Sequence, residues 1–168
     1  MQGIRFTEWL DYSDEETRRW KRWFSENPAA LDLAIDIAGT GTVRKLLLHI
    51  FFVERHFATL VSGGSLATSD HLRSEIENNP PADLGQIFTI GEEASREYRK
   101  FLERATEADL STVLNLGTKT EIRGSKRKLI TQALTHSVRH WAQLATLLRQ
   151  KGFTQDWVHD FLLSKAME

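Results

Sequence analysis

The chain has 168 residues, enough to bury a substantial core as one domain spanning 1–168. It contains no cysteine, which excludes disulfides, thiolate metal ligands and a thiol nucleophile of its own, and which a reducing compartment accommodates. Lys and Arg number 22 against 23 Asp and Glu, so no net field draws nucleic acid or an anionic membrane.

The opening MQGIRFTEWLDYSDEE lacks a basic segment followed by an apolar run, and the longest apolar stretch, Leu46 to Val53, is interrupted by His49. Neither a secretory leader nor a membrane span is expected, and a cytoplasmic location is the simplest expectation.

The first helix is predicted over Thr7 to Asn27 with a break near Asp11 to Ser13. There Ser13 and Glu16 read as a capping box, and Trp9, Leu10, Trp20, Trp23 and Phe24 supply an interrupted apolar face. Pro28 ends it. From Ala29 to Gly41, Leu31, Leu33, Ile35 and Ile37 recur at period two, which predicts extended structure across a bundle end, closed by Gly39 and Gly41. Thr40 or Thr42 caps a second helix from Val43 to about Val61, which Ser62, Gly63 and Gly64 stop. Its two adjoining apolar stripes require a central position, or contact with a second subunit as well as its own bundle.

Asp70 to Glu77 predicts a short helix, punctuated by Asn78 to Pro81. A third long helix is expected from about Leu84 to Ala105, then a small hairpin within Ser111 to Gly124 with its turn at Asn115 to Gly117. The fourth runs from Lys126 to Gln150, capped by Ser125 and stopped by Gly152, roughly 35 to 40 Å long at 1.5 Å per residue. The tail, Phe153 to Leu163, is expected to pack back as a short amphipathic helix through Trp157, Phe161 and Leu162. Four long helical patterns without a reliable sheet predict an all-α four-helix bundle. The basic cluster Arg123, Lys126, Arg127 and Lys128 reads as a solvated face.

His136 and His140 share one face of the fourth helix, on an inward stripe with Leu129, Ala133 and Leu147. Burial disfavours charged imidazole, so neutral rings are predicted, suited either to a metal or to private hydrogen bonds in a core. A borderline divalent ion needs at least a third protein ligand. His49 sits on an apolar stripe of the second helix, and His56, about 10 Å further along it, is read as packing or hydrogen bonding beside a site. The sequence HSVRH has Ser137 where a zinc protease HExxH motif needs its general-base Glu. The carboxylates of a di-iron bundle are missing as well.

The stretches LLLHIFFVERHF and LTHSVRHWAQLATLLRQKG resemble the DinB-like (DinB/YfiT-type) superfamily of bacterial metal-binding four-helix bundles, over most of residues 5–163. The resemblance implies that His49, His136 and His140 are a metal-binding triad. It further implies an up-down-down-up bundle with a long crossover, frequent homodimers, and a divalent transition metal, nickel or zinc foremost and iron as a further option. Members of the superfamily use such a centre in thiol-dependent transferase and isomerase reactions, so a small-molecule thiol and an electrophilic substrate are the implied partners. Without cysteine here, that thiol comes from outside. The rival expectation is a non-catalytic, stress-related or accessory metal-binding dimer, and a third is a metal-free interaction protein.

Gln143, one turn beyond His140, either orients a ligand or is solvated. Tyr12, Glu15 and Glu16 are within reach of the pocket from helix one, Glu16 having a competing role in a cap. Trp20, Trp23 and Trp141 read as core or dimer packing, and His71 and His159 as facing solvent or a helix end.

Overall fold

The structure, a computed structural model, describes residues 5–116 and 122–166. Helix α1 runs unbroken over Phe6–Glu26. Its first turn is closed by Glu8, whose carboxylate accepts the Arg5 backbone N–H at 2.7 Å. The expected break and capping box at Ser13 are therefore corrected. Tyr12, Ser13, Glu16 and Thr17 are all buried mid-helix, and packing on both sides holds the helix continuous through them.

A 3-10 turn, Pro28–Asp32, follows. The period-two stretch then makes a short extended excursion: Ala34 bridges Thr42 antiparallel, and the Ile35 N–H donates to Gly41 O at 3.1 Å. Gly39 and Gly41 take left-handed φ of 69° and 78° to close it.

Helix α2 is Val43–Val61, its N-terminus capped by Thr42, which accepts the Lys45 N–H at 3.3 Å. Helix α3, Leu66–Asn78, is longer than expected because Ser65 caps it by accepting the Thr68 N–H at 3.1 Å. Helix α4, Leu84–Leu102, starts at the Asp83 cap. A one-turn helix α5, Glu107–Ser111, was not expected; Thr106 and Asp109 cap it reciprocally. Strands β1 (Val113–Asn115) and β2 (Arg123–Ser125) pair antiparallel with Leu114 opposite Gly124. That is the expected hairpin, although the end of its proposed turn, Gly117, lies outside the described residues. Helix α6, Lys126–Gln150, has the predicted bounds, with Ser125 accepting the Lys128 N–H at 3.2 Å.

Side-chain partners give the helix directions. Asp14 meets Arg99 and Lys21 meets Glu92, so α1 and α4 are antiparallel. Phe51 packs on Phe88 while the Tyr98 OH donates to Glu54 O, so α2 and α4 are parallel. Phe51 also packs on Trp141 while Ser137 meets Glu54, which sets α6 antiparallel to α2. The bundle is thus up-down-down-up, and α3 belongs to the long crossover that joining two parallel helices requires. The α2–α4 approach is closest at Gly91, where an added Cβ would sit 2.3 Å from Phe51 Cδ1.

The core has two apolar parts, one around Trp20, Phe24, Phe51, Phe88 and Trp141, the other around Leu10, Tyr98, Ile130 and Leu134. Glu54 and Ser137 lie between them along α2 and α6. The tail packs back, but as an extended strap with a single 3-10 turn at Phe161–Leu163. Its burial alternates: Phe153, Gln155, Trp157, His159 and Phe161 are half-buried, and the residues between them are exposed. A strand-like period of two explains why no amphipathic helix forms there. No helix among the described residues is long and apolar enough to cross a membrane.

Candidate metal centre

Helix α2 supplies His49, and α6 supplies His136 and His140 from successive turns of one face. The antiparallel pairing of the two helices brings all three rings together. His136 Nε2 lies 3.1 Å from His49 Nε2 and 3.1 Å from His140 Nε2. The three candidate ligand atoms fall within 4.8 Å of one another. Nitrogens that each stand about 2.0 to 2.1 Å from one ion are spaced by about 3 Å, so the donor set fits a divalent transition metal. The cluster is capable of holding such an ion.

The rings are tuned to be neutral. Burial, the neighbouring imidazoles and the Arg139 guanidinium push His136 down to about 3. Burial, His49 and Arg139 hold His140 below its ordinary value, against a hydrogen bond to Gln143 that raises it. Burial, Arg139 and Arg73 lower His49. A neutral imidazole keeps one unprotonated ring nitrogen, so the three converging Nε2 atoms can offer lone pairs to one point.

Gln143 has an assigned partner: its Oε1 lies 2.8 Å from His140 Nδ1. Accepting the Nδ1–H fixes the tautomer that leaves Nε2 free as a ligand atom, the usual role of a group behind a metal-bound imidazole. His136 Nδ1 is buried with no partner among the described residues. Arg139 is exposed and reaches to 3.4 Å from His140 Nε2.

The triad is not sealed. His49 is half-buried and lines a recess of about 380 Å³ between α2 and α3, whose walls include Leu48, Phe52 and Ile76 and whose charges include Lys45 and Arg73. Arg73 lies 5.3 Å above the Phe52 ring and pairs with Glu77. His56 stands apart from the triad, its Nδ1 bonded to the buried Ser69 hydroxyl.

The other candidates from helix one point away from the centre. The Tyr12 OH donates to His159 O at 3.0 Å, and Glu15 pairs with Arg19 and accepts the Lys165 N–H. Glu16 binds His159 Nδ1 at 2.6 Å. His159 is thereby corrected from a solvent position: it stacks on Trp20 at 5.3 Å and ties the tail to α1. His71 is exposed, as expected. Trp20, Trp23 and Trp141 are core. The basic cluster is engaged at the surface, Arg127 with Glu107 and Lys126 over the Phe101 ring at 4.9 Å.

No match to the sequence is found among curated proteins. Among solved structures, the chain is similar to a DinB-like protein, YjoA, from Bacillus subtilis. The identity is 16%, the TM-score 0.61, and the alignment covers 92% of this chain and 96% of that one, a likeness of fold. The model of the DinB family matches residues 2–167, from one end of the bundle through the tail. The chain belongs to the DinB family.

Proposed function

We propose that His49, His136 and His140 hold one divalent transition ion, nickel or zinc first and iron next, at an open catalytic centre for thiol-dependent transfer to an electrophile. The observation that carries this reading is that three Nε2 atoms converge while His49 also lines an open recess. A closed structural site would place a fourth protein ligand there, whereas the cluster of possible ligands among the described residues consists of the three histidines. When bound, the ion supplies a Lewis acid that lowers the pKa of a thiol presented to it.

The chain's own residues account for the rest. Gln143 holds His140 in the ligating tautomer. Leu48, Phe52 and Ile76 form a wall that keeps water from a substrate in the recess, while Lys45 favours an anionic thiol at its mouth, the Arg73 charge there being paired with Glu77. Since the chain has no cysteine, the thiol is a cosubstrate. A homodimer is part of the proposal; the exposed apolar side chains Val158, Leu162 and Leu163 support it as a surface to be covered. The test is a turnover screen of small thiols against electrophiles with metal-loaded protein. Consumption of both partners that stops on chelation and returns with metal is the expected result. Full metal loading with no turnover across the screen would favour the non-catalytic alternative.

A further inference from the structure

Glu54 lies five residues beyond His49 on α2, about 140° around the helix from it. It therefore faces the bundle interior rather than the triad. It is 7% exposed and lines a cavity of about 280 Å³ between α1, α2 and α4. One carboxyl oxygen accepts the Ser137 hydroxyl at 2.5 Å, and the other has no protein partner among the described residues. Ser95 Oγ, on the α4 wall, is buried and also without a partner.

The charges around the cavity divide into committed and uncommitted groups. Asp14 is taken by Arg99 at 2.6 Å, and Glu92 by Lys21 at 2.6 Å. Arg18 on α1 and Arg96 on α4 line the same cavity, are exposed, and have no acidic partner among the described residues. What remains free is thus a pair of guanidiniums at the rim and hydroxyl and carboxyl groups at the floor. Such donors match an anion that carries a second acceptor group at its other end.

We propose that this cavity is a second ligand site, separate from the histidine triad, that takes a small dicarboxylate or similar two-ended organic acid. Arg18 and Arg96 hold the outer carboxylate, and Ser95 Oγ and Glu54 donate to the inner acceptor. Donation by Glu54 requires its proton, and burial raises this carboxyl to about 8, with Asp14 adding to the rise and Ser137 opposing it. The ionisable groups facing it are Asp14 and Arg18 from α1 and Glu92, Arg96, Tyr98 and Arg99 from α4; α6 contributes Ser137 and Leu134. Ligand binding therefore weakens as pH rises through about 8.

The experiment is a titration of metal-free full chain with succinate, followed by backbone amide shifts, with 1,4-diaminobutane as the opposite-charge probe. Saturable shifts on residues 13–18 and 91–99, absent from 136–140, are expected. Arg18→Gln with Arg96→Gln, both at the surface, should weaken binding at least 10-fold. Glu54→Gln should keep binding, since its amide still donates, and lose the fall between pH 7 and 9. No saturable shift with succinate, equal affinity in the double arginine variant, or preference for the diamine would each overturn the site. None of these outcomes depends on the triad holding metal.

Discussion

Ser137 Oγ donates to Glu54 Oε1 at 2.5 Å, and this bond ties α6 to α2 between the two apolar parts of the core. It is the only hydrogen bond to that buried carboxyl group among the described residues, and Ser137 stands next to His136 in the chain. Removing it with Ser137→Ala leaves a carboxyl oxygen desolvated and unpaired, with an expected loss of about 1 to 3 kcal/mol. Urea unfolding of the two proteins measures this. A change within error would show that Glu54 is satisfied from the cavity instead.

The same carboxyl makes stability depend on pH in a defined direction. Its folded value is raised from 4.5 to about 8, so between those values the folded state keeps a proton that the unfolded state has lost. Stability falls as pH rises across that window, by up to about 1.4 kcal/mol per unit from this one group, and then levels. Glu54→Gln should remove the slope. Unfolding free energies from pH 5 to 9 for both chains provide the check, and parallel curves would contradict the assignment.

Gly91→Ala tests the α2–α4 packing. The added methyl would meet Phe51 Cδ1 at 2.3 Å, with the Phe51 ring itself locked against Phe88 and Trp141. Overpacking of this kind costs about 1 to 3 kcal/mol. The drop should appear in the denaturation midpoint, and a variant as stable as the parent would mean that the helices separate without penalty.

At the centre itself, Gln143→Ala removes the acceptor that orients His140. Metal affinity should fall about 10- to 100-fold while unfolding free energy changes little, because Gln143 is exposed. Competition against a chelator of known affinity reads this. Unchanged affinity would make the 2.8 Å contact incidental.

All three imidazoles are held below the ordinary 6.5, so protons compete with metal only at lower pH. Affinity should be flat above about pH 6.5 and fall on acidification below it. A profile still rising through pH 7 would show histidines of ordinary basicity.

Much of this arrangement is written locally. The bounds of α2 and α6 follow from Thr42, Ser125 and Gly152 together with 3.6-residue apolar stripes, and the stripes place His49, His136 and His140 inward. What escaped local reading depends on contacts across the chain. Ser13 and Glu16 have the letters of a cap, yet Glu16 is bound by His159 of a tail that lies 143 residues further on. The period-two spacing of Phe153, Trp157, His159 and Phe161 was present in the sequence and signals the strap. The reach of Gln143 to His140 follows from their i,i+3 spacing, whereas the Glu54 cavity needs three helices in place before it exists.

The most direct test of the metal centre is reconstitution of the full chain with nickel or zinc, followed by metal analysis and X-ray absorption of the bound ion. One ion per chain, with imidazole nitrogens in its shell and binding lost in His136→Ala with His140→Ala, is the expected result. Full metal content retained in that double variant would contradict it.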